Sequence, residues 1–290
     1  MTRPTKDSVA TFTVPSGTTI GSLQGLVPLD PLEIRILLAH VLGLTRVQLI
    51  TQSERALSAN EAQHLTVLFR RRIQGEPIAY IIGVREFYGL VFDVTPDVLI
   101  PRPETELLVD LALERLPPNG YLLDMGTGSG AIAVTIAHSR PDAKVTALDV
   151  SPAALEVAQA NAVRILADTG VQIRFLQADW YASLSDNDQF DIIVANPPYI
   201  ATGDIHLTQG DLRFEPPGAL TDHADGLSAL RTIIAGAPNC LNSDGWLLME
   251  HGYDQAIDVR NLLIEKGFQQ VRSWKDLAGI DRVSGGQWQA

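Results

Sequence analysis

Phe190-Asp191-Ile192-Ile193-Val194-Ala195-Asn196-Pro197-Pro198-Tyr199 is the stretch on which the reading of this chain turns. Its first six residues form an apolar run of the kind found in buried parallel strands. Two prolines straight after Asn196 cannot continue a hydrogen-bonded ladder, so the backbone must leave the sheet there. Asn196 is therefore expected at the C-terminal end of a strand, where open α/β sheets hold their ligands. Its carboxamide and the Pro197 carbonyl offer two acceptors, and Pro198 has no N–H to compete for them. Such a corner suits a planar –NH2 donor whose face Tyr199 can cover. An Asn-Pro turn without a ligand is the plain alternative, and the strand before it weighs against it.

Working outward, the chain from about Leu107 alternates strand and helix, which predicts an α/β doubly wound sheet. Expected strands are Tyr121–Met125, Lys144–Asp149, Gln172–Gln177, Phe190–Ala195, Gly245–Glu250, Gln269–Trp274 and Val283–Trp288. Helices are expected at Gly130–His138, from Ser151 to about Ala167, near Leu227–Leu241 and near Gln255–Lys266. The first part reads differently. Residues 1–17 are rich in Thr, Ser and Pro and are expected to be poorly ordered. Residues 18–78 carry helical signals: Asp30-Pro31-Leu32-Glu33 and Ser58-Ala59-Asn60-Glu61 each supply an N-cap and a capping-box glutamate. The stripes Ile34, Leu37, Leu38, Val41 and Ala62, Leu65, Leu68, Phe69, Ile73 follow them at helical spacing. Residues 79–100 are expected to form a β-hairpin connector with a turn at Gly89, and 101–290 the catalytic domain.

A chain of 290 residues with 46% hydrophobic and 19% charged residues can bury a core in one large and one small domain. No apolar run reaches the roughly 20 residues of a membrane span, and Met1–Asp7 has no signal-peptide character. With Cys240 as the one cysteine, no intrachain disulfide forms, which points to a reducing cytoplasm. A net charge of −12 argues against a broad phosphate-binding surface. Arg70-Arg71-Arg72 reads as a solvated helix end at the favourable C-terminal pole. A monomer satisfies everything above. The six histidines show no ligand spacing, so no metal is expected.

Asp124-Met125-Gly126-Thr127-Gly128-Ser129-Gly130 joins the first strand of the sheet to its helix, and its glycines let backbone approach a ligand. Asp149 ends the next strand, 19 residues on (149 − 130 = 19), where a carboxylate accepts both ribose hydroxyls. NAD and S-adenosylmethionine both fit these two features. Asp124 is expected to attract a positively charged amino-acid moiety, and the Asn-Pro-Pro-Tyr turn has no role in hydride transfer. Both favour S-adenosylmethionine over an NAD-dependent oxidoreductase. Asp179-Trp180 follows the third strand, with Trp180 expected along the adenine and Asp179 accepting its exocyclic amine.

These residues resemble the PrmC/HemK family, the peptide chain release factor N5-glutamine methyltransferases. Besides the glycine loop, Asp179-Trp180 and Asn196 to Tyr199, the resemblance is carried by Glu76 to Gly83 and Arg85-Glu86-Phe87. Ile100-Pro101-Arg102-Pro103-Glu104-Thr105-Glu106, Glu215-Pro216 and Glu250-His251-Gly252 complete it. The resemblance implies a Rossmann-like class I S-adenosylmethionine-dependent sheet preceded by a helical substrate-recognition domain. It implies as substrate the glutamine of the Gly-Gly-Gln motif in class I release factors. Gly126, Thr127, Gly128, Ser129 and Gly130 would line the methionine and ribose part of the cofactor, with Asp149 on the ribose and Trp180 on the adenine. Asn196 would touch cofactor and substrate, and Pro197, Pro198 and Tyr199 would form the glutamine pocket. Thr105 would border the cofactor, and Phe87 and Tyr88 are expected to pack between domains. Glu215 and Glu250 are expected to order loops, and His251 to be structural.

The Asn-Pro-Pro-Tyr motif is shared with adenine-N6 methyltransferases, so methylation of nucleic acid is the nearest rival; it would need a basic groove that this sequence lacks. Gly285-Gly286-Gln287 repeats the family's target tripeptide, yet it falls in the expected last strand, which argues against self-methylation.

Overall fold

The computed structural model describes residues 12–289, which form two compact units meeting at Gly83/Val84. In the first unit, helices α1 (Leu23–Leu26), α2 (Pro31–Leu42), α3 (Arg46–Thr51), α4 (Ala59–Ile73) and α5 (Ile78–Ile82) surround one apolar core. Both expected N-caps are in place, Asp30 accepting the Leu32 N–H at 2.7 Å and Ser58 forming a reciprocal capping box with Glu61, but Glu33 makes no capping box and pairs with Arg72 instead. Thr45 and Gln48 form a second box. Ile34, Leu37, Leu65 and Phe69 are fully buried, each contributing about 1.5–3 kcal/mol.

Three expectations change here. Residues 1–11 lie outside the described residues, but Val14 is buried and its N–H donates to Thr66 Oγ1 at 2.9 Å, so residues 12–17 join the fold. Ile78–Ile82 is helical, with Ala79, Tyr80 and Ile81 buried, and Gly83 (φ +79°) closes it in the left-handed conformation. The arginine triplet is not a bare solvated end. Arg71 pairs with Glu76, Arg72 with Glu33, and Arg70 Nε donates to the Phe12 carbonyl at 2.7 Å.

The second unit opens with the hairpin β1 (Val84–Phe87) and β2 (Leu90–Asp93), turned by Tyr88 and Gly89. Helix α6 (Glu106–Arg115) leads into β3 (Tyr121–Met125), α7 (Ala131–Ser139), β4 (Lys144–Asp149), α8 (Pro152–Ile165), β5 (Arg174–Gln177) and β6 (Phe190–Ala195). After the short α9 (Pro217–Leu220) come α10 (Ser228–Gly236), β7 (Leu241–Glu250), α11 (Ala256–Lys266), β8 (Gln269–Lys275) and β9 (Asp281–Gln287). The seven strands lie in the order β5-β4-β3-β6-β7-β9-β8, and β9 alone runs opposite in direction to the other six. The α/β class and the Rossmann-like winding expected from the sequence are therefore observed.

Strands β3 and β6 are buried on both faces, as their unbroken apolar runs require. The chain winds outward from β3 through β4 to β5, then returns to place β6 on the other side of β3. That reversal opens a crevice at the carboxyl ends of the strands. It is the position in which the sheet presents its loops to a ligand.

Candidate active site

A cavity of about 260 Å³ sits at this crevice. Its walls come from the ends of four adjacent strands: Gly126 to Ser129 after β3, Asp149 at the end of β4, Asp179 and Trp180 after β5, and Asn196 to Pro198 after β6. Each strand delivers one element of the expected site because the sheet is parallel and in register: Met125 pairs with both Leu148 and Ala195.

The glycine loop owes its shape to internal anchors. The Gly126 and Thr127 N–H groups both donate to the Leu148 carbonyl at 2.9 Å, and the Gly128 N–H donates to Asp149 Oδ2 at 2.9 Å. Gly126 and Gly128 adopt φ of +73° and +56°, and a Cβ on Gly128 would meet nothing within 4 Å, so the backbone itself faces open space. Asp149 also accepts the Ser151 N–H, and each of its oxygens keeps a lone pair for a diol. Burial pushes its carboxyl pKa up while these backbone N–H groups hold it down. Asn161, fully buried on α8, donates to the carbonyls of Ser129 and Asp93 at 2.9 Å, tying loop and hairpin to one helix.

Two expected cofactor residues stand back from the cavity. Gly130 (φ +81°) does not line it; a Cβ there would lie 3.2 Å from Cα of Ala158, so its role is the close approach of α7 to α8. Asp124 is fully buried and does not reach the cavity. It accepts Thr127 Oγ1–H at 2.7 Å and the Ala133 N–H at 3.1 Å, and desolvation pushes its pKa up to about 7. An acid at that depth props the loop and does not attract a cationic ligand, because the alternating strand puts its side chain into the core.

Asn196 lines the cavity and donates from Nδ2 to Thr105 Oγ1 at 3.2 Å. Thr105 in turn donates to Glu250 Oε2 at 2.7 Å, and Tyr199 donates to Glu250 Oε1 at 3.2 Å. Tyr199 does not line the cavity; its ring packs against the core cluster that contains Leu230 and Met249, and burial beside Glu250 raises its pKa far above the usual phenol range. A proton so firmly held makes Tyr199 a prop for the turn and not a base. The turn is pinned from behind as well: Gln255 Nε2 donates to the carbonyls of Tyr199 and Gly226 at 3.0 and 3.1 Å. At Gly226 (φ +82°) any Cβ would stand 2.5 Å from the Tyr199 oxygen, so only glycine fits.

Sequence reasoning gave no site role to Asp97, Val98, Leu99, Pro101, Arg102, Pro216, Gly218 and Ala219, which join Phe87 and Thr105 in the walls. Arg102 is held by Glu215, whose buried carboxylate also accepts the Ile100 N–H at 3.1 Å. The signal was present in Arg102-Pro103-Glu104-Thr105-Glu106 and Glu215-Pro216, but 113 residues separate the ion-pair partners (215 − 102 = 113). Phe87 is buried, stacks edge-on against Phe92 and meets the cavity, while Tyr88 donates to Asp110 at 2.7 Å. His251 is buried with Nδ1 on the Gly252 carbonyl and Nε2 on Ser284 Oγ, both at 2.8 Å, a structural arrangement. Gln287 is fixed in β9 between two strands, its amide bonded to Asp244 O at 2.9 Å and to Gln270 at 2.5 Å. Among the described residues, no group of three or more His, Cys, Asp and Glu is placed to hold a metal ion, and no helix is long and apolar enough to cross a membrane.

Comparison with known proteins bears on the family and the fold. Residues 21–83 match the PrmC N-terminal domain family, and residues 103–211 match the methyltransferase small domain family. A protein of Burkholderia pseudomallei named release factor glutamine methyltransferase is 55% identical over 95% of this chain and 98% of its own length. Proteins of the same name from Neisseria gonorrhoeae and Vibrio cholerae are 53% and 45% identical, over 91% and 89% of this chain and 96% and 89% of theirs. Among solved structures, a Pyrococcus furiosus methyltransferase superposes with a TM-score of 0.52 at 19% identity, covering 76% of this chain and 97% of that one. A T. thermophilus 16S rRNA methyltransferase in complex with AdoMet and guanosine gives 0.51 at 22%, covering 70% of this chain and 49% of that one. The two structures share the fold of the sheet, whereas the sequence relatives match nearly end to end, and on that ground the chain belongs to the release factor glutamine methyltransferase family.

Proposed function

We propose that this chain transfers the methyl group of S-adenosylmethionine to the side-chain amide nitrogen of the glutamine in the Gly-Gly-Gln motif of class I release factors. The observation that carries this reading is Asn196 at the end of β6, lining the cavity with Nδ2 committed to Thr105 and Oδ1 left to accept. The cavity suits the cofactor: open glycine backbone, the Asp149 carboxylate for a ribose diol, and the Trp180 ring for adenine. Gly126, Thr127, Gly128, Ser129, Asp149, Asp179, Trp180 and Asn196 would hold it, with Gly130 acting through the helix pair. When bound, the cofactor supplies a sulfonium-activated methyl carbon.

An amide nitrogen is a poor nucleophile because its lone pair is delocalised into the carbonyl. In our reading Asn196 Oδ1 and the Pro197 carbonyl each accept one N–H of the substrate amide and aim its nitrogen. Both acceptors gain strength as positive charge builds on that nitrogen, so they favour the transition state over the ground state. No base is needed before transfer, since the proton leaves the more acidic product cation. Pro198 forms the pocket wall, and Tyr199 holds the turn through Glu250. The helical unit of residues 18–83 would recognise the release factor. We further infer a cytoplasmic monomer that binds no nucleic acid: the net charge is −12, and Arg70, Arg71 and Arg72 are engaged within the fold.

The test is radiolabelled methyl transfer from S-adenosylmethionine to a class I release factor, to the same factor with its motif Gln replaced by Ala, and to DNA. Label confined to the unmodified factor is expected. Label on DNA, or on the Ala variant, overturns the assignment.

A further inference from the structure

Glu250 is an acid for which the proposed transfer has no direct use. It ends β7, is 1% exposed, and makes its two hydrogen bonds to Thr105 and Tyr199. Burial raises the pKa of its carboxyl, while the hydrogen bond from Thr105 and the nearby Arg282 charge pull it down. A buried carboxylate carries a desolvation penalty, and an isosteric amide would brace the same elements without it. What an amide cannot do is present acceptors on both branches.

The consequence runs through Thr105, itself 4% exposed. Its hydroxyl owns one proton, and at 2.7 Å from Glu250 Oε2 that proton is donated to the carboxylate. The side of Oγ1 that faces Asn196, at 3.2 Å, then carries lone pairs only. Asn196 must answer with Nδ2, and its planar amide leaves Oδ1 on the other branch. Among the described residues no protein donor is bonded to that oxygen.

We propose that Glu250 is a positioning residue that acts through Thr105 to set the polarity of the Asn196 carboxamide, so that oxygen and not nitrogen faces the incoming substrate amide. The proposal rests on the functional reading above for its catalytic consequence, while the hydrogen-bond direction it asserts stands on the three side chains alone. Were the chain of donors reversed, Thr105 would donate to Asn196 Oδ1, and Nδ2 would confront the substrate –NH2 donor against donor.

The test uses Glu250→Gln on a Tyr199→Phe background, where Thr105 is the remaining partner and the new amide nitrogen donates to it, because a buried N–H without an acceptor costs more than a carbonyl without a donor. Tyr199→Phe, the double variant, Tyr199→Phe with Thr105→Val, and the triple variant form one cycle, all in the full chain. We expect Glu250→Gln to lower kcat for a class I release factor by about 100-fold, the effect of losing one preorganised acceptor. KM for the factor and the calorimetric Kd for S-adenosylmethionine should stay at their Tyr199→Phe values. In the Thr105→Val background the same change should cost nothing further, because the relay is already cut. Thr105→Ser, which keeps the hydroxyl, should restore most of the kcat lost with Thr105→Val.

Independently of turnover, the Asn196 side-chain NH2 signals in a 15N spectrum, identified by their absence in Asn196→Asp, should show one protected proton. Glu250→Gln should abolish that protection. Retained protection, an unchanged kcat, or a loss that is additive with Thr105→Val each overturns the relay. If the native chain leaves release factor unmodified while the protection responds as stated, the relay stands and the functional reading falls.

Discussion

Replacing Asp124 by Asn should make the sheet unit gain stability relative to the native chain as pH rises, by an amount that follows from its burial. Asp124 is fully buried, with Oδ2 bonded to Thr127 and Ala133 and Oδ1 without a partner. Its pKa is pushed up to about 7 from an ordinary 3.8, by desolvation first and by the Asp149 charge in addition. For an acid raised in the folded state, the folded chain holds the proton more tightly. The stability this confers is complete below the unfolded pKa and is lost as pH climbs through about 7. Between pH 5 and pH 8 the loss covers about two pKa units, or roughly 2–3 kcal/mol at 1.36 kcal/mol per unit. Asn at this position has no such titration. Any fixed cost of burying its amide cancels when the two pH values are compared. All four tryptophans, Trp180, Trp246, Trp274 and Trp288, belong to the sheet unit, so urea unfolding followed by their fluorescence reads that unit alone. The difference in unfolding free energy between Asp124→Asn and the native chain should shift by roughly 2–3 kcal/mol in favour of the variant from pH 5 to pH 8. A difference that stays constant, or moves the other way, would mean that Asp124 is ionised at low cost, and the buried-prop account would be wrong.

Asn196→Ala should reduce kcat by about 10²–10³-fold, or 2.7–4 kcal/mol, with little change in melting because Thr105 keeps its bond to Glu250; near-native turnover would remove Asn196 from the chemistry. Tyr199→Phe should keep much of the activity, since its phenol serves Glu250 and not the substrate; steady-state assay decides, and a loss as large as that of Asn196→Ala would give the hydroxyl a direct part. Trp180→Ala should weaken S-adenosylmethionine binding by at least about 0.5–1.5 kcal/mol, a two- to tenfold rise in calorimetric Kd, and an unchanged Kd would place the adenine elsewhere. Gly130→Ala combines a left-handed φ of +81° with a 3.2 Å approach to Ala158, so thermal unfolding should show a loss of about 1–3 kcal/mol; a variant as stable as the native chain would show that α7 and α8 have slack.

Much of the fold was legible before any coordinate. The run Phe190–Ala195 is buried on both faces and can only be a central strand, and Pro197-Pro198 ends it with no long-range help. The capping box at Ser58 and the Asp30 cap likewise act within a few residues of themselves. What misled was of two kinds. Ala79–Ile82 has a β-like composition, and its helix depends on a core supplied by other segments. Asp124 sits next to the glycine loop in sequence, yet strand alternation turns it inward, a fact one residue of register decides.

By itself, then, the sequence determined which residues leave the sheet at the crevice, because proline, glycine and strand alternation impose local rules that no partner can waive. Which groups face one another there was decided by the tertiary structure. Thr105, Asn196, Tyr199 and Glu250 span 145 residues (250 − 105 = 145) and touch because α6, β6 and β7 pack together. Hydrogen-bond direction is a property of such contacts, since a hydroxyl can donate or accept until its neighbour removes the choice.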